Sequence, residues 1–317
     1  MRLIPRGKPV SGSLILNIPI CWHNCTPANI KNSGVLFMQI KSGYLQVLLA
    51  SIIWGTVGVF ARWSCLTPLE LSFLRLLFAL ITLFFCLPKR QYFTVFYLKD
   101  FLVIGVAGIL FAVDCLFFFH ALQLTTLSNA VFPYSLQPAF VGLLTPLLLK
   151  ERVEVKFVFA FTFSLVGLGI LLIPSVINLS YADLNGIILA LAGTFCLSVI
   201  TLLTRLVDMN TYRFVFYEML IAFLLLLPFV KVQSPLVLNN WLAIITIGVV
   251  HTALAYVYYY EGLKKVKIQY GVTLGYLVPV VASLAGLLLF KEAVSIFTIV
   301  GGLFIIINGT IVIFMAS

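Results

Sequence analysis

The chain has 317 residues, of which 62% are hydrophobic and only 9% charged, with a mean hydropathy of +1.15 and a formal net charge of +10. So few charges cannot cover a soluble globule, and the basic excess forms no aromatic-interleaved stripe of the kind nucleic acid requires. The apolar residues fall instead in blocks of about 20, each long enough at roughly 1.5 Å per residue to cross a hydrocarbon core about 30 Å thick.

Residues 1–43 read as a disordered cytoplasmic tail, with Pro5, Pro9, Pro19 and Pro27 and a single short apolar run from Leu14 to Ile20. That run is too short for a span and no convincing cleavage site follows it, so no signal peptide is assigned. Met38, just ahead of the first span, is a second candidate start. Cys21, His23 and Cys25 are metal-capable but lack a second ligand pair downstream, and no metal site is assigned to them. The six cysteines, Cys21, Cys25, Cys65, Cys86, Cys115 and Cys196, are scattered, most of them in or beside apolar runs. They read as buried free thiols rather than a disulfide framework.

Beyond the tail, the pattern predicts ten spans at 44–63, 69–87, 101–120, 126–148, 157–173, 184–204, 213–230, 241–260, 268–290 and 295–315. Sixteen of the 20 basic residues fall in the tail and in alternate connections, against Arg62, Lys231 and Lys291 on the other side and Arg75 within a span. This bias places both termini in the cytoplasm. The expectation is an all-α, multi-pass integral protein of a bacterial cytoplasmic (inner) membrane.

The chain also repeats itself. A shift of 141 residues lays Ala121-Leu122 on Gly262-Leu263, Pro138 on Pro279, and Lys150-Glu151 on Lys291-Glu292. A shift of 143 lays Gly43 on Gly186, Arg62 on Arg205, and Phe73 on Phe216. The units are residues 44–174 and 182–317. Five spans in each is an odd number, so the second unit enters the membrane from the opposite side, giving the inverted-topology repeat that recurs in secondary transporters.

Trp54-Gly55, Pro68 followed by Arg75, Pro138 and Pro279 in the fourth helix of each unit, and the Lys150-Glu151 and Lys291-Glu292 closers together resemble the EamA-type proteins of the drug/metabolite transporter superfamily over about residues 44–315. The resemblance implies two five-helix repeats and export or exchange of amino acids, metabolites or drug-like solutes on an ion or solute gradient. One position departs from the pattern. EamA-type second repeats often carry an acid just before the helix-nine proline, where this chain has Val278, so the substrates of such relatives do not carry over.

Among individual residues, Asp114 stands out, because a carboxylate inside a span is costly and usually faces a cavity or a partner. Burial disfavours its charged form, which makes it a candidate for carrying a coupling proton or pairing with a substrate amine. Helical spacing puts Leu110, Asp114, Phe117 and Ala121 on one face, and the repeat pairs them with His251, Ala255, Tyr258 and Gly262. Asp114, His251, Phe117 and Tyr258 are therefore substrate-binding or coupling candidates, with a quiet structural role as the alternative for both ionisable groups. In helix four Tyr134, Gln137 and Pro138 form a polar interruption, mirrored by Tyr276 and Pro279. Each proline frees a carbonyl one turn earlier, which suits a hinge or a static kink. Trp54 either lines the site or fills space. Arg75 and Glu218 occupy equivalent places and read as interfacial snorkelling or structural charges, or as gating charges. The aromatic run from Tyr256 to Tyr260 reads as an interfacial belt.

No phosphate-cradling loop, metal-binding helix or nucleophile elbow is present, so neither a cofactor nor ATP-driven transport is assigned. The expected partners are the lipid bilayer and a small-molecule solute with a coupling proton or counter-solute, not nucleic acid; oligomeric state is not read. The competing readings are an intramembrane or lipid-modifying enzyme using Asp114 and His251 as acid and base, and a passive channel.

Overall fold

The computed structural model describes residues 42–86, 97–125, 130–131, 133–177, 181–231, 238–291 and 296–316, and among them there are helices and no strands. Residues 1–41 of the expected tail, with Cys21, His23, Cys25 and Met38, lie outside the described residues, as does Glu292, and the first helix already includes Ser42 and Gly43. In chain order the helices are α1 (Ser42–Ser64), α2 (Pro68–Cys86), α3 (Leu98–Leu124), α4 (Gln137–Leu148), α5 (Val155–Ile177), α6 (Tyr181–Leu203), α7 (Thr211–Leu226), α8 (Asn240–Lys265), α9 (Ile268–Leu289) and α10 (Ile296–Ala316). Seven described helices are long and apolar enough to cross a membrane: α1, α2, α3, α6, α8, α9, and α7 with its 3₁₀ extension to Phe229. In α5 and α10 the apolar stretches are shorter, Val155–Ile170 and Ile299–Asn308.

Local sequence explains where helices begin and end. At the start of α2, Thr67 and Glu70 bond reciprocally: the Thr67 hydroxyl and backbone N–H donate to Glu70 Oε2 at 2.8 and 3.0 Å, and the Glu70 N–H donates back to Thr67 Oγ1 at 3.3 Å. This is a capping box, with Pro68 at the first helical position where its missing N–H costs nothing. Asn210 caps α7 by accepting from the Tyr212 N–H at 2.9 Å. Lys150 and Lys291, the predicted closers of α4 and α9, both turn into the left-handed region, with φ of 57° and 53°.

The predicted spans 126–148 and 268–290 are interrupted. A 3₁₀ turn, Pro133–Leu136, precedes α4, and another, Leu274–Tyr276, divides α9. Pro138 and Pro279 then stand in the first turn of the α-helical segments that follow, where a proline breaks no hydrogen bond within that segment.

The packing has a matched pattern. Helix α3 lies against α6 and α7, and α8 lies against α1 and α2; α4 packs on α6, α9 on α1, and α5 on α10. Exchanging the two halves returns the same set of pairs. Individual contacts repeat too. A β-carbon at Gly43 would lie 3.0 Å from the Gly262 carbonyl oxygen, and one at Gly186 would lie 3.3 Å from that of Ala121. Arg205 donates to the carbonyls of Leu263 and Val266 at the end of α8, while Arg62 lines a recess with Leu122 and Thr125 at the end of α3.

The halves part company inside α8, where Ile247–Leu254 is π-helical. Up to the start of this segment the two halves match at a shift of 140 (Asp100 on Asn240, Phe101 on Trp241, and Gly108 on Gly248 at its second residue), and after it at 141. A single extra residue in the second half is absorbed by the wider turn, the ordinary origin of a π-bulge and a feature frequent at functional sites.

Candidate functional site: a polar cavity between the halves

Asp114 is buried on α3 and accepts a 2.7 Å hydrogen bond from the Tyr134 hydroxyl, delivered by the 3₁₀ turn ahead of α4. Both pack on Gly193 of α6, where a β-carbon would fall 2.3 Å from the Tyr134 hydroxyl oxygen and 3.1 Å from Asp114 Oδ1. Glycine is needed there for the pair to meet at all.

Arg75 approaches the same place from α2. Its guanidinium donates to Cys115 Sγ at 3.1 Å and lies over the rings of Phe119 and Phe111, 5.0 and 5.6 Å from their centroids. It interacts electrostatically with Asp114 and Tyr256. Arg75 is 5% exposed and Glu218 is fully buried, so neither snorkels to an interface as the sequence suggests. Glu218 accepts from the Tyr260 hydroxyl at 3.3 Å. The π-faces of Phe111 and Phe119 and a soft sulfur acceptor hold Arg75 inside apolar helices.

The π-turn brings in His251. Its Nδ1 lies 3.3 Å from the Thr246 carbonyl oxygen and its Nε2 2.9 Å from Thr56 Oγ1, and its own carbonyl accepts from the Trp54 indole N–H at 3.0 Å. The His251 ring is thus held by protein partners on both nitrogens, while its side chain still lines the cavity. Trp54 sits between Tyr256 and Tyr259, with ring centroids 4.9 and 4.8 Å away. Deeper in, the Tyr259 hydroxyl donates to Gln137 Oε1 at 3.2 Å and Gln137 Nε2 donates to Thr201 at 3.0 Å.

These groups surround a cavity of about 90 Å³ that reaches Asp114, Arg75, Tyr134, Gln137, Pro138, His251 and Trp54. That is room for several waters or one small solute. Of the sequence candidates, Phe117, Tyr258, Tyr276, Pro279 and Glu218 are not among its lining residues. Phe118, one full turn from Asp114, takes the place expected of Phe117 and meets the Tyr134 ring at 4.9 Å. Tyr258, the counterpart of Phe117 at the shift of 141, is off the lining as Phe117 is, and Tyr256, the counterpart of Cys115, lines the cavity as Cys115 does. Tyr276 is fully buried in an apolar cluster with Leu168, Val280 and Ile305.

Sequence reading also misses Cys115, Ser135, Leu197, Tyr256, Gly275 and Val278, all of which line the cavity. The aromatic run is not an interfacial belt, for Tyr256, Tyr259 and Tyr260 are buried inside the protein. Its hydroxyl and indole partners are remote in sequence, and the only local signal was the density of tyrosines. Cys115 and Cys196 are buried as expected, but Cys65 and Cys86 are exposed.

Away from the cavity, the connection before α5 is stitched to the start of α9. Glu154 pairs with Lys267 at 2.5 Å and accepts from the Tyr270 hydroxyl at 2.8 Å, and the two bonds hold its carboxyl below the usual glutamate range. Gln269 adds bonds to the Glu154 N–H and the Arg152 carbonyl at 3.2 and 3.1 Å.

Comparison with known proteins agrees with this architecture. The model of the EamA-like transporter family matches residues 41–173 and again 184–315. An uncharacterized transporter of Archaeoglobus fulgidus is 30% identical over 281 residues, covering 86% of this chain and 96% of its own. The uncharacterized transporter YxxF of Bacillus subtilis is 25% identical over 250 residues, covering 77% of this chain and 80% of its own. One solved crystal structure superposes with a TM-score of 0.72 at 20% identity, over 87% of this chain and 98% of the other, which shows a shared fold. A multi-pass helical chain matched twice by one family model, and aligned along most of its length with transporters, belongs to the EamA-like transporter family of the drug/metabolite transporter superfamily.

Proposed function

We propose that the protein is a secondary active transporter that moves a small metabolite, amino acid or drug-like solute by alternating access, with the cavity around Asp114 as its central site. The observation that carries this reading is the buried Asp114–Tyr134 pair facing a cavity beside Arg75, in the middle of helices that are otherwise apolar. Ionisable groups at such depth are costly and belong to solute or ion paths.

In this reading the chain crosses the membrane ten times, as inverted repeats 44–174 and 182–317 with both termini cytoplasmic in a bacterial inner membrane. The exchange symmetry of the helix contacts supports the two repeats, and the basic bias of alternate connections supports the orientation. Pro138 and Pro279, each just beyond a 3₁₀ turn, are the hinges about which the α4 and α9 segments pivot. Asp114 is the coupling residue, and His251 on its π-turn forms the opposite wall.

A thermal-shift screen of the purified protein against metabolites, followed by flux of the hits in proteoliposomes, tests the reading. Saturable, competable flux supports it. Flux that never saturates describes a channel, and chemical conversion of the solute describes an enzyme. For topology, a cysteine probe at Lys265 should be labelled only from the cytoplasmic side and one at Lys231 only from the opposite side.

A further inference from the structure

Gly275 occupies the 3₁₀ turn that divides α9 and lines the cavity. A glycine in a helix normally answers one of two needs, a left-handed backbone or a close neighbour, and otherwise destabilises the helix relative to alanine. Neither need exists here. Gly275 is not in the left-handed region, and a β-carbon built on it meets nothing within 4 Å. What the glycine supplies is space inside the cavity.

The repeat sharpens the point. At a shift of 141, Gly275 corresponds to Tyr134, the residue that fills its own side of the cavity and bonds Asp114. On the next residue but two, Gln137 likewise gives way to Val278. One side of the cavity is therefore polar and filled, at Asp114 and Tyr134. The other is open at Gly275, where Val278, Trp54 and Val57 are apolar and His251 has both ring nitrogens held by protein partners.

We propose that Gly275 sets the size of the apolar group the cavity admits, the solute lodging that group beside Gly275 while a hydrogen-bond-donating head reaches Asp114. This rests on the cavity being the solute site. A side chain at position 275 shortens the accepted group without touching the polar end.

The probes are two homologous series, straight-chain primary amines and straight-chain primary alcohols from one to six carbons, read by thermal stabilisation of the purified protein. Wild type should be stabilised increasingly with chain length up to a limit, by about fourfold in affinity per buried methylene. Gly275→Ala should bring the limit down by about one carbon and Gly275→Leu by about four, at the scale of one methylene per added carbon. Response to amines alone identifies a charged head, and equal response to both series a neutral donor. Either response with the shortened limit supports the proposal. An unchanged limit in a Gly275→Leu protein that elutes as a single folded species overturns it, and so does the absence of stabilisation of wild type by every member of both series. Binding of a series that is indifferent to Asp114→Leu, which removes the acceptor oxygens, would instead strike at the cavity as the solute site, whatever happens at Gly275.

Discussion

At Gly108, α3 rests on α7, where a β-carbon would lie 2.6 Å from Ile221 and 2.9 Å from the Glu218 carbonyl oxygen; at Gly248, α8 rests on α2, 2.5 Å from Phe78 and 2.8 Å from the Arg75 carbonyl oxygen. Residues 75 and 218, and 78 and 221, are themselves partners at the shift of 143. From these matched footholds the two helices diverge. Helix α3 continues as a regular helix to Asp114, while α8 opens into a π-turn that presents His251. The shared glycine contacts build the frame, and the chemistry sits where the frame stops being symmetric: one acid, one π-turn, one tyrosine opposite one glycine.

The comparison breaks most readily at the footholds. Gly108→Leu and Gly248→Leu each drive a side chain into backbone, and each should destabilise the protein by about 1–3 kcal/mol or more. Thermal unfolding in detergent reads this, and comparable losses are expected at both. Tolerance of one substitution and not the other would mean that the two contacts are not equivalent.

A smaller, kinetic effect is expected at the prolines. Pro138→Ala and Pro279→Ala restore a backbone donor beside each 3₁₀ turn, and each should slow transport on the order of tenfold, about 1.4 kcal/mol on the barrier, with solute binding little changed. Wild-type rates in both would leave the turns as static kinks. A rate loss in only one would show that the halves do not move alike.

The smallest effect belongs to Glu154, whose repeat counterpart is Ser295 and which therefore marks one end of the molecule alone. Its carboxyl is lowered by Lys267 and then Tyr270, so the stability it contributes is fully present above its ordinary value of 4.5 and is lost as pH falls through the lowered value. With its side chain 39% exposed, the pair is worth less than about 1 kcal/mol. Glu154→Gln should remove that contribution, less than about 1 kcal/mol, at neutral pH and flatten the acid limb, so that variant and wild type converge as pH falls through the lowered value. An unaltered acid limb would remove Glu154 from the account.

Much of the frame was legible in the sequence because it is written in contacts that repeat: Gly43 with Gly186, Arg62 with Arg205, Lys150 with Lys291. The π-turn was not. A one-residue insertion inside a continuous apolar run leaves its hydropathy unchanged, so nothing local marks where the shift passes from 140 to 141. The buried setting of Arg75 and Glu218 was hidden for a different reason. Hydropathy gives the depth of a residue poorly and its facing neighbours not at all, and the partners Cys115 and Tyr260 lie 40 and 42 residues away. Asp114, Tyr134 and Gln137 were found because polar groups in apolar helices are expensive wherever they face.

In the proposed mechanism Asp114 couples solute movement to a gradient from the polar side of an asymmetric cavity. Asp114→Asn keeps the shape of the side chain and an oxygen for the Tyr134 hydroxyl but removes the titratable group. In proteoliposomes carrying an imposed pH gradient, with a solute identified by the binding screen, the variant should lose gradient-driven uptake while exchange of labelled for unlabelled solute survives. Wild-type uptake with unchanged pH dependence in Asp114→Asn would contradict the account and leave the carboxylate a structural partner of Tyr134.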